Sequence, residues 1–290
     1  MGSPLLAIFS VLPVINAVTV ILAGVVIGLC AFLSRASGHI PDWMIIPPLM
    51  MSGNNPPESV IYSSGFTIVA VGLFFSQFLL FLLRRAMLHR DIKPTDKNYP
   101  LRFLNVCEFS FSVAAIIALV VQAVIPVQKN VLYTFFDFDG IVVEQDTLTH
   151  ETAAACWWLG EAVHWILNFI LEKRSPQLSI FRKYRSFIFK YAFAAIGIIC
   201  GCISMFAKPD LPAPKSKVLM YFHVTNLCWW ASAVCFFITY FVQSWQSASL
   251  LDHLGIRSFV FGTLSNNRPV YGQVPDSERY SEVEEGKRKH

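Results

Sequence analysis

The sequence predicts an all-α polytopic membrane protein, a bundle of six transmembrane helices, and three observations predict it. Only 14% of its 290 residues are charged and 54% are hydrophobic, whereas a typical soluble domain carries about 25% charged residues. The apolar residues fall in long blocks, and a helix needs about 20 of them to cross the hydrocarbon core. The basic residues cluster on alternate connections between those blocks, as cytosolic loops of membrane proteins do. The mean hydropathy of +0.51 agrees.

Six blocks meet the length requirement: Val11–Leu33, Val60–Leu83, Phe103–Ile125, Ala153–Leu171, Phe187–Phe206 and Tyr221–Trp245. Pro13 stands near the start of the first, Arg84 and Arg85 end the second, and Pro126 closes the third. Glu172, Lys173 and Arg174 close the fourth, and Lys208-Pro209 closes the fifth. Helices are expected because they satisfy their own backbone hydrogen bonds in lipid. No basic segment or small-residue cleavage site precedes the first block, so it is expected to stay as an anchor. The spans are expected to form one domain over residues 1–250. Residues 251–290, rich in Gly, Ser, Asn and Pro with a mixed-charge end, are expected to be a flexible tail.

Charge sets the expected orientation. The connections after blocks two and four, with the C-terminal tail, hold 18 of the 23 basic residues, Arg84 and Lys190 among them. The opposite side holds Arg35, Lys129, Lys208, Lys215 and Lys217. Both termini are therefore expected in the cytosol. The net charge of +4 belongs to orientation signals rather than to a nucleic-acid surface. Trp43, Tyr62, Tyr133, Tyr184, Tyr221 and Trp245 are placed near the interfaces, where amphipathic rings settle.

The seven cysteines lie in or beside apolar blocks, so inert packed thiols and no loop disulfides are expected. Gly24-x-x-x-Gly28 and Gly197-x-x-x-Gly201 let helices approach closely; packing within the chain is expected, with a dimer seam as the alternative, and the oligomeric state is left open. The acidic turn Asp137-Phe138-Asp139-Gly140 lacks the spacing of a calcium loop. In the tail, Tyr271–Val274 and Tyr280–Val283 fit tyrosine-x-x-hydrophobic sorting signals, which a cytosolic adaptor reads as extended peptides.

The most informative segment enters the second span: Gly53-Asn54-Asn55-Pro56-Pro57-Glu58-Ser59. Gly and Asn favour a turn and the prolines stiffen the entry. Glu58 and Ser59 fall in the first helical turn, where an acid suits the positive end and a hydroxyl suits capping. A structural role for Gly53, Pro56, Pro57, Glu58 and Ser59 accounts for the motif; contact with a headgroup or partner is the functional alternative.

A small-residue turn followed by Pro-Pro-Glu-Ser directly before span two resembles the signature loop of the DRAM (damage-regulated autophagy modulator) family and of related six-span proteins. The wider group includes Golgi proteins that remodel GPI anchors and yeast plasma-membrane proteins linked to phosphoinositide kinase function. The layout of residues 1–250 is similar, and the loop carries the residue-level likeness. Leu227-Cys228-Trp229-Trp230 is a fainter echo, with Trp229 where the family often has an acid. Pro126-Val127-Gln128 stands where the family's Asn-Phe-Gln is expected. The subfamily is open.

Ionisable groups inside spans are costly in lipid and often functional. Glu161 and His164 share a face at i,i+3 and are expected to pair. His150 falls on that face, His223 and Asn226 lie in the sixth block, and Glu108 in the third is expected to meet Arg102. One Glu-x-x-His is half of the duplicated di-iron pattern, so no catalytic residue, metal or other cofactor is expected. The resemblance implies a non-enzymatic regulator of the endolysosomal system that works through membrane lipids and a cytosolic adaptor. An accessory to lipid metabolism, at the Golgi or the plasma membrane, is the alternative.

Overall fold

The computed structural model describes residues 8–40, 45, 53, 55–90, 99–125, 145–175, 178, 185–206 and 215–253. Among them six helices are long and apolar enough to cross a membrane, and there is no strand. They are α1 (Leu12–Ala36), α2 (Glu58–Arg90), α3 (Tyr99–Val124), α4 (Gln145–Arg174), α5 (Arg185–Phe206) and α6 (Lys215–His253). Each expected block lies within one of them, except that α1 starts one residue late, at Leu12, and α3 stops one residue short, at Val124. Most helices run past their apolar block because helical hydrogen bonding continues into polar flanks; α6 reaches 39 residues. The chain is a multi-pass integral membrane protein.

Neighbours in sequence are neighbours in space. The closest pairings are α3 with α4, α5 with α6 and α1 with α2; α2 also packs on α3 and α1 on α6, while α4 and α5 touch less. The helices thus close a ring, and its interior is unusual. Asn16, Gln77, Arg84, Glu108, Glu161, His164, Asn168, Glu172, Lys190 and Gln243 are buried, whereas Ile21, Val25, Phe32, Ile68, Phe75, Ile117, Ile199 and Phe206 are exposed. That surface would be untenable in water but suits lipid tails.

The core is aromatic. Trp157 meets Trp229 edge-on at 5.9 Å and Phe236 at 6.0 Å, orientations that aromatic quadrupoles favour. Tyr62, expected near an interface, is buried against Phe66 at 4.7 Å between ring centres. Trp245 is 64% exposed on the bundle surface.

The two Gly-x-x-x-Gly patterns differ. A Cβ on Gly201 would collide with the Trp158 indole, and one on Gly197 would press Phe236 and Cys235 at 3.2–3.3 Å. These glycines seat α5 against α4 and α6. Among the described residues nothing lies within 4 Å of where a Cβ on Gly24 or Gly28 would sit, so the expected packing within the chain is not seen for them. All seven cysteines are free; Cys156 is exposed, contrary to the expectation of buried thiols. The acidic turn at 137–140, the side chain of His150, and Tyr271, Val274, Tyr280 and Val283 lie outside the described residues.

Candidate functional site

Polar chemistry concentrates where α2, α3, α4 and α5 meet. The helix periodicity of α4 puts Glu161, Trp165, Asn168 and Glu172 on one stripe. Toward the end that carries the basic connections, Arg84 of α2 forks between two carboxylates. Its Nη1 donates to Glu108 Oε1 of α3 at 2.9 Å, and its Nη2 donates to Glu172 Oε1 of α4 at 3.0 Å. Lys190 of α5 donates to both oxygens of Glu172, each at 2.8 Å. Every one of these four side chains is at most 3% exposed.

Neutral groups tie the ions together. Asn168 Nδ2 donates to Glu108 Oε1 at 3.1 Å, and its Oδ1 accepts from Arg84 Nη2 at 3.2 Å. The Tyr191 hydroxyl lies 2.7 Å from Asn168 Oδ1 and 2.8 Å from Glu172 Oε2; its one proton serves these acceptors in turn. Two cations face two carboxylates, so the cluster is charge-balanced. In a low-dielectric interior such balance, with hydrogen bonds on the remaining lone pairs, is what makes buried ions tolerable.

Glu161 and His164 do not satisfy one another. Glu161 takes hydrogen bonds from Tyr240 of α6, 2.8 and 3.0 Å to its two oxygens, and from Trp165 Nε1 at 3.0 Å. His164 turns toward α3, with Nδ1 3.3 Å from Glu108 Oε1 and 3.4 Å from the Glu108 backbone oxygen. Both are acceptors, so Nδ1 carries a hydrogen, and Nε2 has no partner among the described residues. The expected pair is therefore corrected: a shared face at i,i+3 brings two side chains near, but facing helices offered each a better-aligned partner. Glu108 likewise meets Arg84, not Arg102.

The opposite end of the bundle holds the entry motif. α1 stops at Gly38, whose φ of +68° suits glycine. Gly38 N–H bonds to Arg35 O at 3.1 Å and His39 N–H to Ser34 O at 2.9 Å, a Schellman ending that delivers His39 to α2. There His39 Nδ1 lies 3.0 Å from Glu58 Oε1, the imidazole 31% exposed and the carboxylate buried. Asn55 O accepts from Ser59 N–H at 2.8 Å. Pro56 and Pro57, joined by a cis bond, bring no N–H, so Glu58 is the first residue after Asn55 with a donor to satisfy. Gly53 lies flat on Tyr62, where any Cβ would strike the ring. Each of Gly53, Pro56, Pro57, Glu58 and Ser59 thus has a structural reason; His39 was not singled out from sequence.

Also unrecognised there were Asn168, Tyr191 and Tyr240, and Arg84 and Lys190 as core residues. The polar stripe of α4 was a usable signal, since Asn168 and Glu172 continue the spacing that begins at Glu161. Among the described residues, no three of His, Cys, Asp and Glu come together as a metal site. No protein-family model, curated protein or solved structure matches the chain.

Proposed function

We propose that this protein is a non-enzymatic multi-pass regulator of the endolysosomal system, with both termini in the cytosol. The observation that supports it best is the closure of the polar core. The cations of the cluster are spent on carboxylates of the same cluster, which leaves them no call on a substrate. A catalytic centre needs groups whose hydrogen bonds strengthen toward a transition state; ions already clamped by one another at 2.8–3.0 Å are matched to the folded state instead. The likeness of the entry loop to the DRAM family supplies the organelle, and the tail's tyrosine signals supply a route to it.

In this proposal the bundle is a rigid anchor, and its lipid face and cytosolic connections make the regulatory contacts with membrane lipids and an adaptor. Removing Arg84 and Lys190 from the loop count leaves sixteen basic residues on the proposed cytosolic side against five, an asymmetry that supports the proposed orientation. Deleting the gene and following delivery of a cytosolic reporter to lysosomes tests the function. A fall in delivery, restored by the wild-type chain, is expected. Normal delivery with altered lipid on GPI-anchored proteins, or altered phosphoinositides at the plasma membrane, would favour an accessory of lipid metabolism.

A further inference from the structure

We propose that Glu161 is a proton-binding site in the core of the bundle: a buried carboxyl that takes up and releases a proton while α4 and α6 stay packed. The case begins with charge. Arg84 and Lys190 are matched by Glu108 and Glu172, and among the described residues no cation hydrogen-bonds to Glu161. Its side chain is buried. An ionised carboxylate there is a lone charge in low dielectric, whereas the neutral acid is not.

The surroundings suit both states. Tyr240 stands 2.8 Å from Oε1 and 3.0 Å from Oε2, and a phenol can donate to a carboxylate or accept from an acid. Trp165 Nε1, 3.0 Å from Oε2, donates in either case. Tyr240 is itself held, because its backbone oxygen accepts from Asn16 Nδ2 of α1 at 2.7 Å. Uptake adds one proton from water to one carboxyl oxygen, and no bond within the protein breaks.

Among the described residues, the following charged and titratable groups face the polar core. From α2 comes Arg84, from α3 Glu108, from α4 His164 and Glu172, from α5 Lys190 and Tyr191, and from α6 Tyr240; α1 offers the uncharged Asn16. His164 continues the polar stripe from Glu161 toward the cluster, with its unpartnered Nε2.

The test is infrared difference spectroscopy of the full chain in lipid nanodiscs between about pH 8 and about pH 5. On acidification a carbonyl band of a protonated carboxylic acid in an apolar setting should emerge, and Glu161→Gln should abolish it. Tyr240→Phe should keep the band and shift its frequency, since the acid loses its phenol partner; this variant decides the matter if Glu161→Gln does not fold. No band in the wild type, a band that survives Glu161→Gln, or one indifferent to Tyr240→Phe overturns the proposal. So does a band that sodium, exchanged for choline at fixed pH, suppresses, because the ligand would then be a metal cation.

Discussion

Lys190→Met removes one of two cations from a cluster that is otherwise balanced. Lys190 is fully buried and holds both oxygens of Glu172 at 2.8 Å. Without it, Arg84 alone faces Glu108 and Glu172, and one negative charge is uncompensated. Stripping one partner from a buried ion pair destabilises by about 3–5 kcal/mol. Against a total stability of about 5–15 kcal/mol, that is a large loss, about a hundredfold or more in the folded population. Glu172→Gln alone strands Lys190 and should be of similar size. The double variant Lys190→Met/Glu172→Gln leaves Arg84 and Glu108 as a one-to-one pair; the new amide oxygen still accepts from Arg84, and the amide N–H can donate to the Tyr191 hydroxyl in place of the lost Oε2. Neutralising a whole pair is often close to neutral in stability, so most of the loss should return. Thermal unfolding in nanodiscs, with abundance in cells, measures this. If either single variant is as stable as wild type, or the double is no better than the worse single, charge balance is not what holds the cluster.

Further outcomes follow from individual contacts. Gly201→Ala drives a methyl into the Trp158 indole and should destabilise by about 1–3 kcal/mol, whereas Gly24→Ala should be nearly silent in the same unfolding assay; equal effects would contradict the packing described. Glu161→Leu and His164→Leu should each lower stability, and combining them should bring no rescue, because their hydrogen bonds run to Tyr240 and Glu108 separately. A rescued double variant would restore the direct pairing expected from sequence. Glu58→Lys places a cation where a buried carboxylate meets His39 at the positive end of α2. The dipole alone opposes it by about 0.3–1 kcal/mol, and export of a tagged variant should fall; normal export with lost function would make the motif a contact site.

The spans were legible because hydropathy is a local property: twenty apolar residues in a row cannot be hidden by tertiary context. Glu58 was legible for the same reason, as an acid at a helix start after two prolines. Arg84 and Lys190 were not: Arg84 stands beside Arg85 at the end of its apolar block, and Lys190 lies in the first turn of its block just after Arg182, Lys183 and Arg185, so both look like orientation charges. Only the facing helices, which supply Glu108, Asn168 and Glu172, reveal them as core. Glu161 and His164 were found on the right helix face but joined to each other, because spacing along one helix says nothing of what the next helix presents. The glycine motifs show the same limit. Gly197 and Gly201 meet neighbours, while Gly24 and Gly28, with the same spacing, look outward.

A tag inserted at the chromosomal locus, with quantitative fractionation at native expression, bears most directly on the proposed role. Co-enrichment of the chain with lysosomal and endosomal membranes is expected. Residence in the Golgi or at the plasma membrane, with none in endolysosomal fractions, would contradict an endolysosomal regulator and turn attention to lipid remodelling at those membranes.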